Sequence, residues 1–119
     1  MDTKASRRLM VVAALGLAAA GLFPAIRPVA AQQRAEPRRH TVTIDATSYS
    51  PKTLTVRVGD TIVWVNNDLF PHTVTAKTGR FDSGDIAAGE SWTYTVKAEG
   101  MFGYFCTYHT TMKGTLRIR

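Results

Sequence analysis

From residue 41 onward, apolar and polar positions alternate along the chain. Val42, Ile44 and Ala46 alternate with threonines and Asp45; Leu54, Val56 and Val58 alternate with Thr53, Thr55 and Arg57; Trp92, Tyr94 and Val96 alternate with Ser91, Thr93, Thr95 and Lys97. Successive side chains of a strand point to opposite faces, so each run reads as a half-buried strand. Leu116 and Ile118 repeat the pattern near the C-terminus, and Thr61 to Asn66, His72 to Lys77 and Met101 to Cys106 supply three more strands. Gly59-Asp60, Asn66-Asn67-Asp68, Gly79, Ser83-Gly84, Gly89 and Glu99-Gly100 mark the turns between them. No segment has a helical period. The expected fold is all-β: a Greek-key antiparallel β-sandwich of seven to eight short strands, with its domain spanning 40–119.

The first part of the chain follows a different pattern. Ser6-Arg7-Arg8 precedes fifteen consecutive apolar or glycine residues, Leu9 to Phe23, a length that suits the apolar core of a signal peptide better than a membrane span. Val29-Ala30-Ala31 places small residues where a signal peptidase reads. The expectation is a signal peptide over 1–31, cleaved after Ala31, which leaves no stable membrane insertion. The paired arginines also resemble a twin-arginine export signal, with an ordinary secretory signal as the alternative. Either route leads to an exported, periplasmic protein. Residues 32–39 are polar, basic and interrupted by Pro37, and read as a flexible leader.

The formal charge of the whole chain, +6, at first suggests nucleic acid. Its distribution argues otherwise, because residues 1–31 carry +3 of it, the leader +2 and everything from His40 onward only +1. No basic stripe for phosphate contacts remains. With 119 residues, the chain holds one domain and no second core of independent size.

Cysteine usage then becomes informative. The chain has one cysteine, Cys106. In an oxidising compartment a lone thiol is a liability unless a metal occupies it. Tyr104-Phe105-Cys106-Thr107-Tyr108-His109-Thr110-Thr111-Met112 places a thiolate, an imidazole and a thioether three residues apart in succession. Gly100, Gly103, the aromatics and the threonines favour a strand running into a turn that folds these donors around one point. The fourth donor is expected to be His72, which Pro71 fixes at the entry to a strand lying beside that of Cys106. His40, next to the leader, lacks such fixing and is expected to be exposed. Two imidazoles, one thiolate and one weak thioether suit copper, with three strong ligands and a long axial sulfur, whereas zinc prefers a carboxylate, water or further thiolate to methionine.

Val58-Gly59-Asp60-Thr61 with Trp64 and Asn66, then Pro71-His72-Thr73-Val74, Gly89-Glu90-Ser91 and Cys106-x-x-His109-x-x-Met112 followed by Lys113-Gly114 carry a resemblance. From about Thr41 onward the chain resembles the small bacterial cupredoxins of the plastocyanin/azurin superfamily, and the two-and-two ligand spacing is that of amicyanins. The resemblance implies one type 1 copper held by His72, Cys106, His109 and Met112 in an eight-stranded sandwich. It departs from amicyanins at Thr73, where they carry asparagine, and at Tyr108 and Thr110, where they carry prolines flanking the second histidine. Thr73 is expected to pin the ligand loop less firmly. Tyr108 restores an N–H that could reach the Cys106 sulfur.

The function expected is a monomeric blue copper protein that passes single electrons between transient redox partner proteins, not an enzyme. His109 would be the electron port, rimmed by Leu69, Phe70, Pro71 and Tyr108. The alternative from another class is a periplasmic copper carrier or chaperone, which would favour Met/His-rich loops; only Met112 and Met101 lie near the site, and Met101 is expected to pack. A catalytic copper centre needs further histidines, and of the three in the chain two are already committed.

Overall fold

The computed structural model describes residues 36–119; the expected export signal and the leader up to residue 35 lie outside the described residues. Eight strands follow in order: β1 (Arg39–Asp45), β2 (Ser48–Ser50), β3 (Thr53–Val56), β4 (Thr61–Asn66), β5 (Thr75–Ala76), β6 (Ser91–Thr95), β7 (Gly100–Phe105) and β8 (Lys113–Ile118). No helix occurs among the described residues. The strands form two four-stranded sheets, ordered β2-β1-β4-β6 and β3-β8-β7-β5.

One expectation is corrected here. The sheets are mixed rather than antiparallel, because β1 runs parallel to β4 and β3 runs parallel to β8. Alternation decides which face of a strand is buried, not its direction. The chain changes sheet at every connection from β2 to β7. Sheet neighbours are therefore mostly distant in sequence, and their directions are set by the crossings.

Inward positions of both sheets close the core, although two residues that the alternation marked, Ala46 and Val58, are exposed in turns at the strand ends. Val42 and Ile44 of β1, Ile62 and Trp64 of β4, Phe102 and Tyr104 of β7, and Leu116 and Ile118 of β8 are all buried. Trp64 lies at the centre, with ring centroids 5.4 Å from Trp92 and 5.6 Å from Tyr104. Burying an aromatic of that size stabilises the fold by on the order of 3 kcal/mol. Tyr104 lies across Gly114, its partner in the β7–β8 register. A Cβ on Gly114 would fall inside the tyrosine's Cζ and Oη atoms, so only glycine fits there. Met101, expected to pack, is instead 64% exposed, because the β7 alternation that buries Phe102 turns its predecessor outward.

The beginning of the domain is tied down earlier than its composition suggested. Arg39 already pairs with Thr61, and the Arg38 N–H donates to Asp60 Oδ1 at 2.9 Å. His40 is also not free: its Nε2 lies 2.9 Å from Asp60 Oδ2, which accepts the Arg57 N–H as well. Burial of Asp60 works to raise its pKa, but the N–H groups of Arg38 and Arg57 and the His40 imidazole outweigh it and hold the carboxyl at about 2.

Candidate metal centre

At the other end of β4, Asn66 organises the approach to the site. Its side chain is fully buried, and Nδ2 donates to the Phe70 and Ile86 carbonyls at 2.8 and 2.9 Å while Oδ1 accepts the Asp68 N–H at 2.9 Å. The 67–71 loop is thereby folded back so that Pro71 delivers His72 to the interior. His72 exchanges backbone hydrogen bonds with Ile86, and β5 then pairs with β7 through Thr75↔Phe105, which puts His72 beside Cys106. On the far side of Cys106 the chain turns sharply, with the Cys106 N–H donating to the Met112 carbonyl at 3.1 Å and the Met112 N–H to the His109 carbonyl at 2.8 Å. The 106–112 loop is thus closed on itself, with Met112 buried.

This folding gathers one ligand atom each from His72, Cys106 and His109 within 4.8 Å of one another. His72 and Cys106 are fully buried, whereas His109 is exposed. The two imidazole centroids are 5.5 Å apart. His72 Nδ1 faces the sulfur at 3.7 Å, and its Nε2 lies 2.8 Å from Asp68 Oδ2. A carboxylate accepts, so Nε2 carries the proton and Nδ1 presents its lone pair toward Cys106 and His109.

Asp68 also accepts the N–H groups of Ala46 and Thr47, at 2.7 and 2.9 Å, in the two-residue turn between β1 and β2. Both turn residues have positive φ, 51° and 57°, a conformation that costs alanine and a β-branched threonine and that the carboxylate helps to hold. The Thr47 N–H first, then those of Ala46 and His72, hold the Asp68 carboxyl below its ordinary range against the opposing effect of burial.

Thr73 is gripped from several sides. Its N–H points at Cys106 Sγ at 3.4 Å, its carbonyl accepts the Tyr49 hydroxyl, and its Oγ1 accepts the Thr107 N–H at 2.9 Å. Burial, followed by the proximity of Cys106 and Tyr104, raises the Tyr49 pKa, so its hydroxyl keeps the proton it donates. The N–H placed on the sulfur therefore comes from Thr73. Tyr108, whose own N–H was expected there, is held through its side chain instead, with Oη donating to the Asp85 carboxylate at 2.7 and 2.8 Å. Leu69, Phe70 and Tyr108 are 86%, 67% and 53% exposed, and Phe70, Pro71, Tyr108 and His109 line a shallow recess of about 380 Å³.

Sequence reasoning did not single out Asp68, Asp82, Asp85, Thr75 or Thr107. For Asp68 a signal existed, since it stands four residues before His72 in a stretch of turn formers. For Asp85 none did, because a surface aspartate 23 residues from its tyrosine has no local pattern.

Two imidazoles and a thiolate converging at one end of a two-sheet sandwich define a soft-to-borderline metal centre, a donor set suited to copper and already oriented by Asp68 and Thr73. The residues present fit that metal. Residues 9–118 match the family model of the cupredoxin-like domain, and the chain belongs to the cupredoxin family. It is 32% identical over 84 residues to plastocyanin of Scenedesmus fuscus, covering 60% of this chain and 86% of that one. To amicyanin-alpha of Methylorubrum extorquens it is 30% identical over 113 residues, covering 91% of this chain and 95% of that one. Among solved structures, the Cu(I) form of an amicyanin point mutant superposes with a TM-score of 0.64 at 28% identity, over 81% of this chain and 95% of that one.

Proposed function

We propose that the chain is a blue copper electron carrier, with His72 Nδ1, Cys106 Sγ, His109 and the Met112 thioether holding one copper ion. The observation that carries this is the convergence of His72, Cys106 and His109 within 4.8 Å. Copper, when bound, gives and takes a single electron. The chain's contribution is to keep its donors in place through that change: Asp68 fixes the His72 ring, the Thr73 N–H fixes the sulfur, and the closed 106–112 loop fixes Met112 relative to Cys106. Little then rearranges when an electron arrives.

His109 is the ligand side chain that reaches the surface, and it is the port. The exposed rim of Leu69, Phe70, Pro71 and Tyr108 forms a small apolar contact with redox partner proteins that bind and leave quickly. Transport rather than catalysis is supported by the commitment of the third histidine, His40, to Asp60. His40 pairs with Ile62, four residues down β4 from Asn66 and on the order of 13 Å from it, and Asp60 lies beyond the start of that strand. The arginine pair and apolar run at the N-terminus support export to the periplasm.

Adding Cu(II) to the metal-free protein is expected to produce an intense blue absorption from thiolate-to-copper charge transfer. Cys106→Ser removes it while far-UV circular dichroism still reports a folded sandwich. An intense blue band surviving in Cys106→Ser would overturn the assignment.

A further inference from the structure

Thr73 reaches the ligand loop through a hydroxyl, and a hydroxyl has one proton to give and two lone pairs to offer. Its Oγ1 has three neighbours: the Thr107 N–H at 2.9 Å, Thr75 Oγ1 at 3.0 Å and Thr107 Oγ1 at 3.3 Å. Which way its proton points decides whether the Thr107 N–H meets a lone pair fully. Thr75 Oγ1, in turn, lies 3.0 Å from Asp82 Oδ1. A carboxylate only accepts, so Thr75 spends its single proton on Asp82 and can only accept from Thr73. Thr73 must then donate to Thr75, and its remaining lone pairs face Thr107. The whole chain is directed from Thr107 through Thr73 and Thr75 to Asp82.

Asp82 is well placed for this. It faces Thr75 across a β-bridge, and its Oδ1 also accepts the Gly84 N–H at 3.0 Å. The next residue, Ser83, exchanges hydrogen bonds with Val74, its N–H to the carbonyl and its Oγ accepting the Val74 N–H at 2.8 Å. Asp82 and Thr75 are thus held by backbone contacts that do not depend on the ligand loop. Thr73, at the inner end, is 3% exposed, so water does not readily replace a misdirected partner there.

We infer that Asp82 and Thr75 are positioning residues for the metal-binding loop: through the order of hydroxyl protons they make Thr73 Oγ1 an acceptor for the Thr107 N–H, one residue from Cys106. The effect reaches the sulfur because Thr73 also supplies the N–H on Cys106 Sγ. Loosening Thr73 weakens that donation, and less hydrogen bonding to the thiolate favours Cu(II) over Cu(I). The inference rests on the copper reading for its second readout only.

Amide hydrogen exchange in the metal-free protein, followed by NMR, provides the first readout. In Thr75→Val the Thr107 amide is expected to exchange about tenfold faster, the order of one lost hydrogen bond. The Val96 amide, bonded to the Asp60 carbonyl at the far end, stays unchanged. Asp82→Ala, which removes the acceptor that takes the Thr75 proton, is expected to act in the same direction, and Thr75→Ser to restore the wild-type rate. Thr78→Val, which removes a hydroxyl outside the chain, is the control. In the copper form, Thr75→Val and Asp82→Ala are expected to shift the reduction potential downward, with Thr75→Ser and Thr78→Val at the wild-type value. Unchanged Thr107 exchange, equal acceleration of Thr107 and Val96, or a Thr75→Val potential no different from that of Thr78→Val would each overturn the inference. Failure to bind copper at all, with Thr107 exchange behaving as described, would instead count against the copper reading.

Discussion

Replacing Asp60 by asparagine tests how the start of the domain is held. The carboxylate accepts the Arg38 N–H on one oxygen and the Arg57 N–H and His40 Nε2 on the other. Asparagine keeps the shape but turns one acceptor into a donor that faces a donor. The folded carboxyl titrates at about 2 against an ordinary 3.8, and at about 1.4 kcal/mol per pH unit this sets a ceiling of about 2.5 kcal/mol. Solvent reaches the His40 side chain, which is 23% exposed, and lowers the expected contribution to about 1–2 kcal/mol. The sign follows from the lowered pKa: the stability is complete above pH 4 and is lost as pH falls toward 2. Urea unfolding of the metal-free protein, read by circular dichroism between pH 5 and pH 2, gives the difference directly. Asp68, also lowered, titrates in both proteins and cancels from that difference. The wild type should be more stable than Asp60→Asn at pH 5, with the gap narrowing by about 1–2 kcal/mol as pH drops to 2. Parallel stability curves over that range would refute the reasoning.

Met112→Leu should leave the protein blue and raise its reduction potential, since losing a weak thioether donor would disfavour Cu(II) more than Cu(I); an unchanged or lower potential by voltammetry would show that Met112 is not a ligand. Gly114→Ala should destabilise the fold by about 1–3 kcal/mol, because the Tyr104 ring it displaces is fully buried and has nowhere to move. Thermal unfolding with an unchanged midpoint would contradict the packing described.

The strands and the convergence of Cys106 with His109 were legible because each leaves a local trace. Alternation marked Val42, Ile44, Trp92, Tyr94, Leu116 and Ile118, and a run of seven residues holds Cys106, His109 and Met112 together. The parallel pairing of β1 with β4 and of β3 with β8 left none, since direction depends on where the chain crosses between sheets. The same holds for the polar supports. His40 looked unattached because its partner Asp60 is 20 residues away, and of the Thr73–Thr75–Asp82 chain only Thr73 was marked, because Thr75 and Asp82 read locally as ordinary strand and turn positions. Met101 was misread because its turn neighbours hid the β7 alternation that turns it outward.

The placement of β8 has a consequence for how the molecule is made. Lys113–Ile118 is the last of the eight strands to leave the ribosome, yet it lies inside its sheet between β3 and β7. Until it arrives, β3 has no neighbour and β7 only the two-residue β5, so a growing chain cannot close this half of the sandwich. The loop carrying Cys106, His109 and Met112 spans the gap between β7 and β8, so both of its ends are anchored in the sheet only when β8 docks. A nascent chain therefore holds that loop by one end alone, and truncation just before Lys113 leaves β3 and β7 with no strand to join them.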